Sequence, residues 1–406
     1  MLLGSHLTLM MGPVLAVPVP QELSEALAGV EITSADRGRS GFQLQFHVGR
    51  SGPLELFDHT LLSHPLLRPF TRVVLVMRFD LIPQVLMDGV ITQITLTPSE
   101  EPGASMLTVT GEDVSVMMDL VQLRMPYPGM TENLIATLII AKYAAYGLVP
   151  AVMPPFMIDA PVPTRRIPQQ TGTDLEHLNT LASRYSYVFY VEPGPLPLMN
   201  KAYWGPPIRA GFPEKALTVN AGPHSNVNSM SFTYNALSPT MVLDVHQDTD
   251  TNITMPVTSP ALSPLPPLAA MPAMLANGGL VRTTLLTRTQ ESTAALMQAH
   301  NGQPGMTEHE AELAVGLSAL QAQTRAVAGV QASLERTATC SGDLDALRYG
   351  GILRARNIVG VRGAGATHDG NWYVQSVTHS IKKGEYKQRF TLNREGIYPI
   401  IPMVRP

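Results

Sequence analysis

A single cysteine, Cys340, stands among 406 residues, so neither an intrachain disulfide nor a cysteine-based zinc site can form. Charge is scarce too. Lys, Arg, Asp and Glu make up 15% of the chain, against about 25% in an ordinary soluble protein. The net charge of −4 leaves no basic footprint for nucleic acid. Aromatic residues are 6% of the total, and Trp204 and Trp372 are far apart, which argues against the clustered aromatic surface of a carbohydrate binder. No run of about 18 apolar residues offers a membrane span; the nearest, Leu134 to Val149, is interrupted by Lys142 and Gly147. Met1 to Pro20 is apolar but has no Lys or Arg near its start, and Pro13, Pro18 and Pro20 break it. It does not read as a signal peptide. His-Glu-x-x-His and Gly-x-Ser-x-Gly are both absent, which removes the commonest metalloprotease and hydrolase signatures.

What the chain has in excess is proline, 35 residues, and hydrophobic side chains, 45%. Low charge with high hydrophobicity fits a protein whose surface is largely covered by partners. The length suffices for two or three domains with real cores.

The first third reads as β. Phe42, Leu44, Phe46 and Val48 alternate with Gln43, Gln45 and His47, the period of a half-buried strand. Arg72 to Met77, Gly89 to Thr97 and Met106 to Thr110 follow at strand spacing, with a short helix or loop near Asp58 to Leu67. Together they predict a small antiparallel barrel. After Gly111 helices enter: one capped by Thr131, carrying Leu134, Ile135, Leu138 and Ile139 and closed by Gly147; another opened by a Thr173–Glu176 capping box, with Leu175, Leu178, Leu181 and Tyr185 on one face. The strand Tyr187 to Val191 comes next. Strands return at Met230 to Tyr234 and Met241 to His246. Met255 to Leu275 holds six prolines, which predicts extended chain lying outside the barrel. Helical patterns follow over Thr284 to His300 and over Thr307 to Ala328, the latter with Leu313, Leu317, Leu320 and Val327 as a seam and Gly329 as its end. Val330 to Ala338 reads as alternating strand.

Near the C-terminus, Asp369-Gly370 opens a strand bearing Trp372, Tyr373, Val374 and Val377. Lys382-Lys383-Gly384-Glu385 then turns it into Tyr386 to Arg394. There Tyr386, Gln388, Phe390 and Leu392 face one way, and Lys387, Arg389, Thr391 and Asn393 the other.

Three motifs carry a resemblance. The Asp-Gly hairpin with its aromatic pair is one. Phe57 to Phe79 followed by Asp88-Gly-Val-Ile-Thr-Gln-Ile94 is the second, with Met87 in place of the usual aromatic. Thr173-Asp-Leu-Glu-His-Leu-Asn-Thr-Leu-Ala-Ser-Arg-Tyr185 running into Tyr187-Val-Phe-Tyr-Val191 is the third and the most specific. Their order resembles the baseplate-hub family of contractile tails, the phage late control protein D group, whose hub part also occurs in type VI secretion and extracellular injection systems. The resemblance covers nearly the whole chain apart from 250–305.

It implies a mainly β fold with an α+β insertion: a tube-like β-barrel domain over 1–112, an α/β insertion over 113–213, and a second barrel over 214–406 interrupted by a Pro-rich and helical insertion at 250–328. It further implies a homotrimeric structural hub joining a six-fold inner tube, or tube initiator, to a three-fold spike. Other baseplate proteins would surround it, with assembly in the bacterial cytoplasm into a phage-tail-like particle. The chain stops soon after the second barrel, so a separate spike protein is expected. The alternatives are a tail-tip cell-wall hydrolase and a receptor- or carbohydrate-binding tail protein.

Candidate chemistry is thin. His47, His59 and His64 lack a carboxylate or thiolate that would complete a metal site. Gly360-Val-Arg-Gly-Ala-Gly365 resembles a phosphate loop without its Gly-Lys-Ser/Thr and reads as a hairpin turn. Asp343 and Asp345, with Glu335, read as turn chemistry in Ser341-Gly-Asp-Leu-Asp. An enzyme would have to use Asp159, Asp174, Glu176 and His177, of which Glu176 already has a capping role. No catalytic, cofactor-binding or metal residue is assigned, and no cofactor is expected.

Overall fold

The computed structural model describes residues 6–13, 15–48, 64–79, 82–100, 104–158, 160–164, 166–247, 254–285 and 319–400. His59, Asp159, the Thr284 to His300 pattern beyond Leu285, and the start of the Thr307 helix lie outside the described residues.

The first β region contains β1 (His6–Gly12), β2 (Val17–Pro18), helix α1 (Gln21–Ala26), β3 (Leu27–Ala35), β4 (Gly41–Val48), β5 (Arg72–Phe79), β6 (Ile82–Thr97) and β7 (Ser105–Asp113). Neighbouring strands are antiparallel in the order β3-β4-β7-β6-β5-β1-β2. The alternation along β4 places Phe42, Leu44, Phe46 and Val48 in one core with Leu75, Met77, Ile91, Leu107 and Val109. Gly111 and Gly89 permit the close packing: a Cβ on Gly111 would lie 2.2 Å from the Phe42 ring, and one on Gly89 2.2 Å from the Glu112 carbonyl oxygen.

The insertion contains β8 (Gln122–Pro126), α2 (Glu132–Ala141), β9 (Leu148–Val152), β10 (Gln169–Thr173), α3 (Asp174–Ser183), β11 (Val188–Pro193) and β12 (Asn200–Gly205). Sheet β11-β12-β9 is mixed, with β9 parallel to β12. Ile135, Ile139, Leu178, Leu181, Phe189 and the fully buried Trp204 form its core. The Thr173–Glu176 capping box is formed in both directions. Thr131 is the N-cap of α2 by position only: its hydroxyl donates to Asn133 Oδ1 rather than accepting a backbone N–H. Helix α2 stops at Ala141, and Gly147 (φ 82°) ends a separate 3₁₀ turn. Leu134 and Leu138 stay about half exposed, because Ile135, Ile139 and Ile140 take the buried face.

The rest contains β13 (Glu214–Thr218), β14 (Ser229–Tyr234), β15 (Thr240–Gln247), β16 (Thr254–Ser259), β17 (Ala269–Pro272), α4 (Ala273–Ala276), β18 (Arg282–Leu285), α5 (Ala319–Leu334), β19 (Ala338–Asp345), α6 (Ala346–Tyr349), β20 (Ile358–Arg362), β21 (Gly370–Lys382), β22 (Glu385–Arg394) and β23 (Gly396–Pro399). Leu217, Cys340, Val359, Trp372, Phe390 and Leu392 sit in its β core.

Two local expectations are corrected. Val330 to Ala338 is not a strand: α5 runs through Gly329 to Leu334. Ala322, Ala326, Val330 and Leu334 recur every four residues and pack on Val242 and Val257, so burial outweighs a helix-interior glycine that costs about 1 kcal/mol. The Pro-rich run is also more ordered than its composition suggests. β16 pairs with β15, β17 pairs with β23, and Val257, Ala261, Leu268, Ala269 and Ala273 are buried. Proline is tolerated there because, among the described residues, β16 and β17 are edge strands.

Candidate functional site

The residues that could have supported chemistry are dispersed or already engaged. Asp174 is buried and accepts from Gln170 Nε2 (2.7 Å), Tyr143 Oη (2.9 Å) and Lys142 Nζ (3.3 Å). Gln170 in turn accepts from Tyr127 Oη at 2.6 Å, and Tyr127 stacks on the buried His177. Burial, then the Asp174 charge, pushes the Tyr127 hydroxyl up to about 12 and Tyr143 above its usual range. A base with its oxygens taken up by three donors, beside phenols held protonated, ties α3 to α2 and β10.

Glu335, Asp343 and Asp345 do not converge. Ser341 to Asp345 lies in β19 rather than in a turn. Asp343 accepts from Asn228 and Ser229, Asp345 caps α6, and Glu335 pairs with Arg37 at 2.7 Å. His47 is exposed on β4, and His64 Nδ1 accepts from the Leu66 N–H. Among the described residues no group of three His, Cys, Asp or Glu could hold a metal ion. Gly363 (φ 84°) and Gly365 (φ 96°) turn β20 toward β21, and the Ala364 N–H goes to Asp369 Oδ1, so the glycine run is a turn.

The feature that stands out is architectural. β21 is thirteen residues long. Its first half pairs with β20, from Gly370↔Val361 to Tyr373↔Ile358. Its second half pairs with β3 of the first β region, from Ser376↔Ala35 to Lys382↔Gly29, seven residue pairs in all. A bulge between Val374 and Ser376, on the β22 side of the same strand, marks the changeover. The two β regions are thereby fused into one 13-stranded sheet. β22 spans both cores: Phe390 and Leu392 lie in the second, while Tyr386 packs into the first. Gln388 is fully buried between them, with Oε1 accepting from the Leu353 N–H and Nε2 donating to the Gly351 carbonyl. The hairpin read from the sequence therefore joins the two β regions. Its alternation was legible; its partner β3 was not, because Leu27 to Ala35 has no strict period.

Polar contacts hold the insertion to the fused sheet, at β5 and β6 and again beside the seam. Arg72 grips Asp88 with two hydrogen bonds (2.7 and 2.8 Å), and Asn200 Nδ2 donates to the same carboxylate at 3.0 Å. Arg72 also donates to the Tyr146 carbonyl. The Arg356 guanidinium lies 3.9 Å over the Tyr190 ring and donates to the Ala35 carbonyl and Ser40 Oγ.

At the sheet's ends the edges differ. β1 carries β2 on its outer side, paired at Met10↔Pro18 and Met11↔Val17, so proline blunts that edge. Among the described residues β14 pairs only with β19, leaving its other edge unpaired, with Ser229, Ser231 and Thr233 exposed. Apolar side chains also stand in solvent where β9 and β12 run out at one end of the insertion sheet: Met153, Phe156 (96% exposed), Ile208 and Phe212 (102%).

No family model and no curated protein matches the sequence. Solved structures match in shape. The tail protein from Neisseria meningitidis MC58 is 13% identical with a TM-score of 0.59, over 97% of this chain and 98% of that one. The 43 kDa tail protein of prophage MuSo2 from Shewanella oneidensis is 11% identical, TM-score 0.57, over 96% and 98%. An Escherichia coli component of the type VI secretion system is 12% identical, TM-score 0.50, over 94% of this chain and 77% of that one. The chain thus has the mainly β fold that these tail and secretion-system proteins share.

Proposed function

We propose that this chain is a structural baseplate hub of a contractile tail or tail-like injection apparatus, and not an enzyme. It acts as a homotrimeric adaptor between a six-fold inner tube and a three-fold central spike. The observation that carries this reading is the seam: one chain presents two β regions joined edge to edge through β3 and β21. Three copies would then present six β regions around one axis, and closed rings are built by repeating compatible edges. The unpaired edge of β14 supplies a place where the next copy can continue the sheet. The apolar side chains at the end of the insertion sheet, with a surface poor in charge, support contacts to further baseplate proteins. The likeness in fold to tail and secretion-system proteins supports the same setting.

Deleting the chain from the particle's producing cell tests the proposal. A hub should be needed for assembly, so tube and sheath proteins should fail to form tails. Normal tails that merely lose cell-wall lysis would refute the hub and favour the hydrolase.

A further inference from the structure

Where the seam meets the insertion and the end of α5, charged side chains gather, all of them buried except Arg37, which is 40% exposed. Glu335 receives Arg37 (2.7 Å) and Gln331 (3.1 Å), with Arg209 Nη2 at 3.9 Å. Glu395 receives Arg209 (2.9 Å) and the backbone N–H of Leu268 and Ala269. Asp113 receives the N–H groups of Ser40 and Ser115. Among these carboxylates Asp36, at the end of β3 and 2% exposed, is the exception: its Oδ2 has no hydrogen-bond partner among the described residues, as is also true of Arg209 Nε. The groups acting on Asp36 are Arg37 from its own segment, Glu335 from the end of α5, and Arg356 from the segment before β20. Tyr373 of β21 and Tyr190 of β11 also feel its charge. Arg356 is itself held at φ 72°, a backbone region that an arginine rarely occupies.

An ionised Asp36 thus repels Glu335 while competing with it for Arg37. We propose that this junction is a proton-operated lock: Asp36 takes one proton from solvent, carboxylate becoming carboxylic acid, which leaves Arg37 to Glu335 and tightens the hold of α5 on the fused sheet. Loss of that proton loosens it. Burial, with Glu335 adding and the two arginines opposing, raises Asp36 from 3.8 to about 6. The sign follows by linkage: a carboxyl raised in the folded state contributes stability that is complete below its unfolded value and lost as pH rises through about 6.

Hydrogen exchange of the full chain at pH 5.5 and 7.5, corrected for intrinsic rates, tests the lock. Amides of 34–40 and 331–338 should be several-fold better protected at pH 5.5, and Asp36→Asn should protect them equally at both. Wild-type protection that ignores pH, or a variant that keeps the wild-type difference, would overturn the proposal. Glu335→Gln gives a second reading that does not rely on the first variant folding. With no carboxylate left to take Arg37, the pH step in protection over 331–338 should vanish; a step of wild-type size would also overturn the lock.

Discussion

At the residue scale, burial decides which side chains matter. Phe390 is 1% exposed in the second core, while its neighbour Arg389 points outward. Phe390→Ala should therefore cost about 3–5 kcal/mol, and Arg389→Ala at most about 0.5 kcal/mol, both measurable by denaturant melts. Silence from the first with unfolding from the second would mean an inverted register. This alternation was legible from Tyr386 to Leu392, but the burial of Asn393 and Arg394 was not. Arg394 is buried because it donates to three carbonyls, of Gly396, Asp369 and Thr367, and lies 4.4 Å over the Trp372 ring. Those partners are set by a loop's path, which no periodicity encodes. Glu214 is another case. Burial raises its carboxyl to about 7 despite hydrogen bonds from Asn357 and the Arg354 N–H. Its contribution to stability is complete below about 4.5 and lost as pH rises through about 7. Glu214→Gln should flatten that part of a melting-temperature profile; an unchanged profile would refute the assignment.

Among the elements, those whose ends are written in side-chain chemistry were readable. The Thr173–Glu176 capping box starts α3 where sequence placed it, and Thr173→Ala should cost about 1 kcal/mol, read from chemical denaturation. Elements defined by distant partners were hidden. α5 continues past Gly329 because its alanine and valine face meets β15 and β16. A Cβ at Gly329 would meet only Val242 Cγ2, at 3.9 Å. Gly329→Ala should then raise stability by about 0.5–1 kcal/mol, and a loss of stability would show that the helix ends at the glycine after all. The prolines of 255–275 misled for a related reason: their composition favours open chain, but Glu395 and β23 supply the hydrogen bonds that hold it down.

For the whole molecule, the fused sheet is the organising feature of the described residues. The candidate carboxylates of α3 serve a buried network, and the glycine run of β20 serves a turn. Sequence motifs pointed to two β regions and an insertion; that β21 would stitch the regions into one sheet could be seen only in three dimensions. If this sheet is a unit of a three-copy ring, native mass spectrometry should show it, with the chain alone, with a spike and first tube protein added, and with a variant carrying Ser231→Lys and Thr233→Lys on the β14 edge left unpaired among the described residues. A trimer of the wild-type chain, alone or with those partners, and a folded monomer of the variant are expected. A wild-type chain that stays monomeric with both partners present, or a variant that trimerises as well as wild type through that edge, would contradict it.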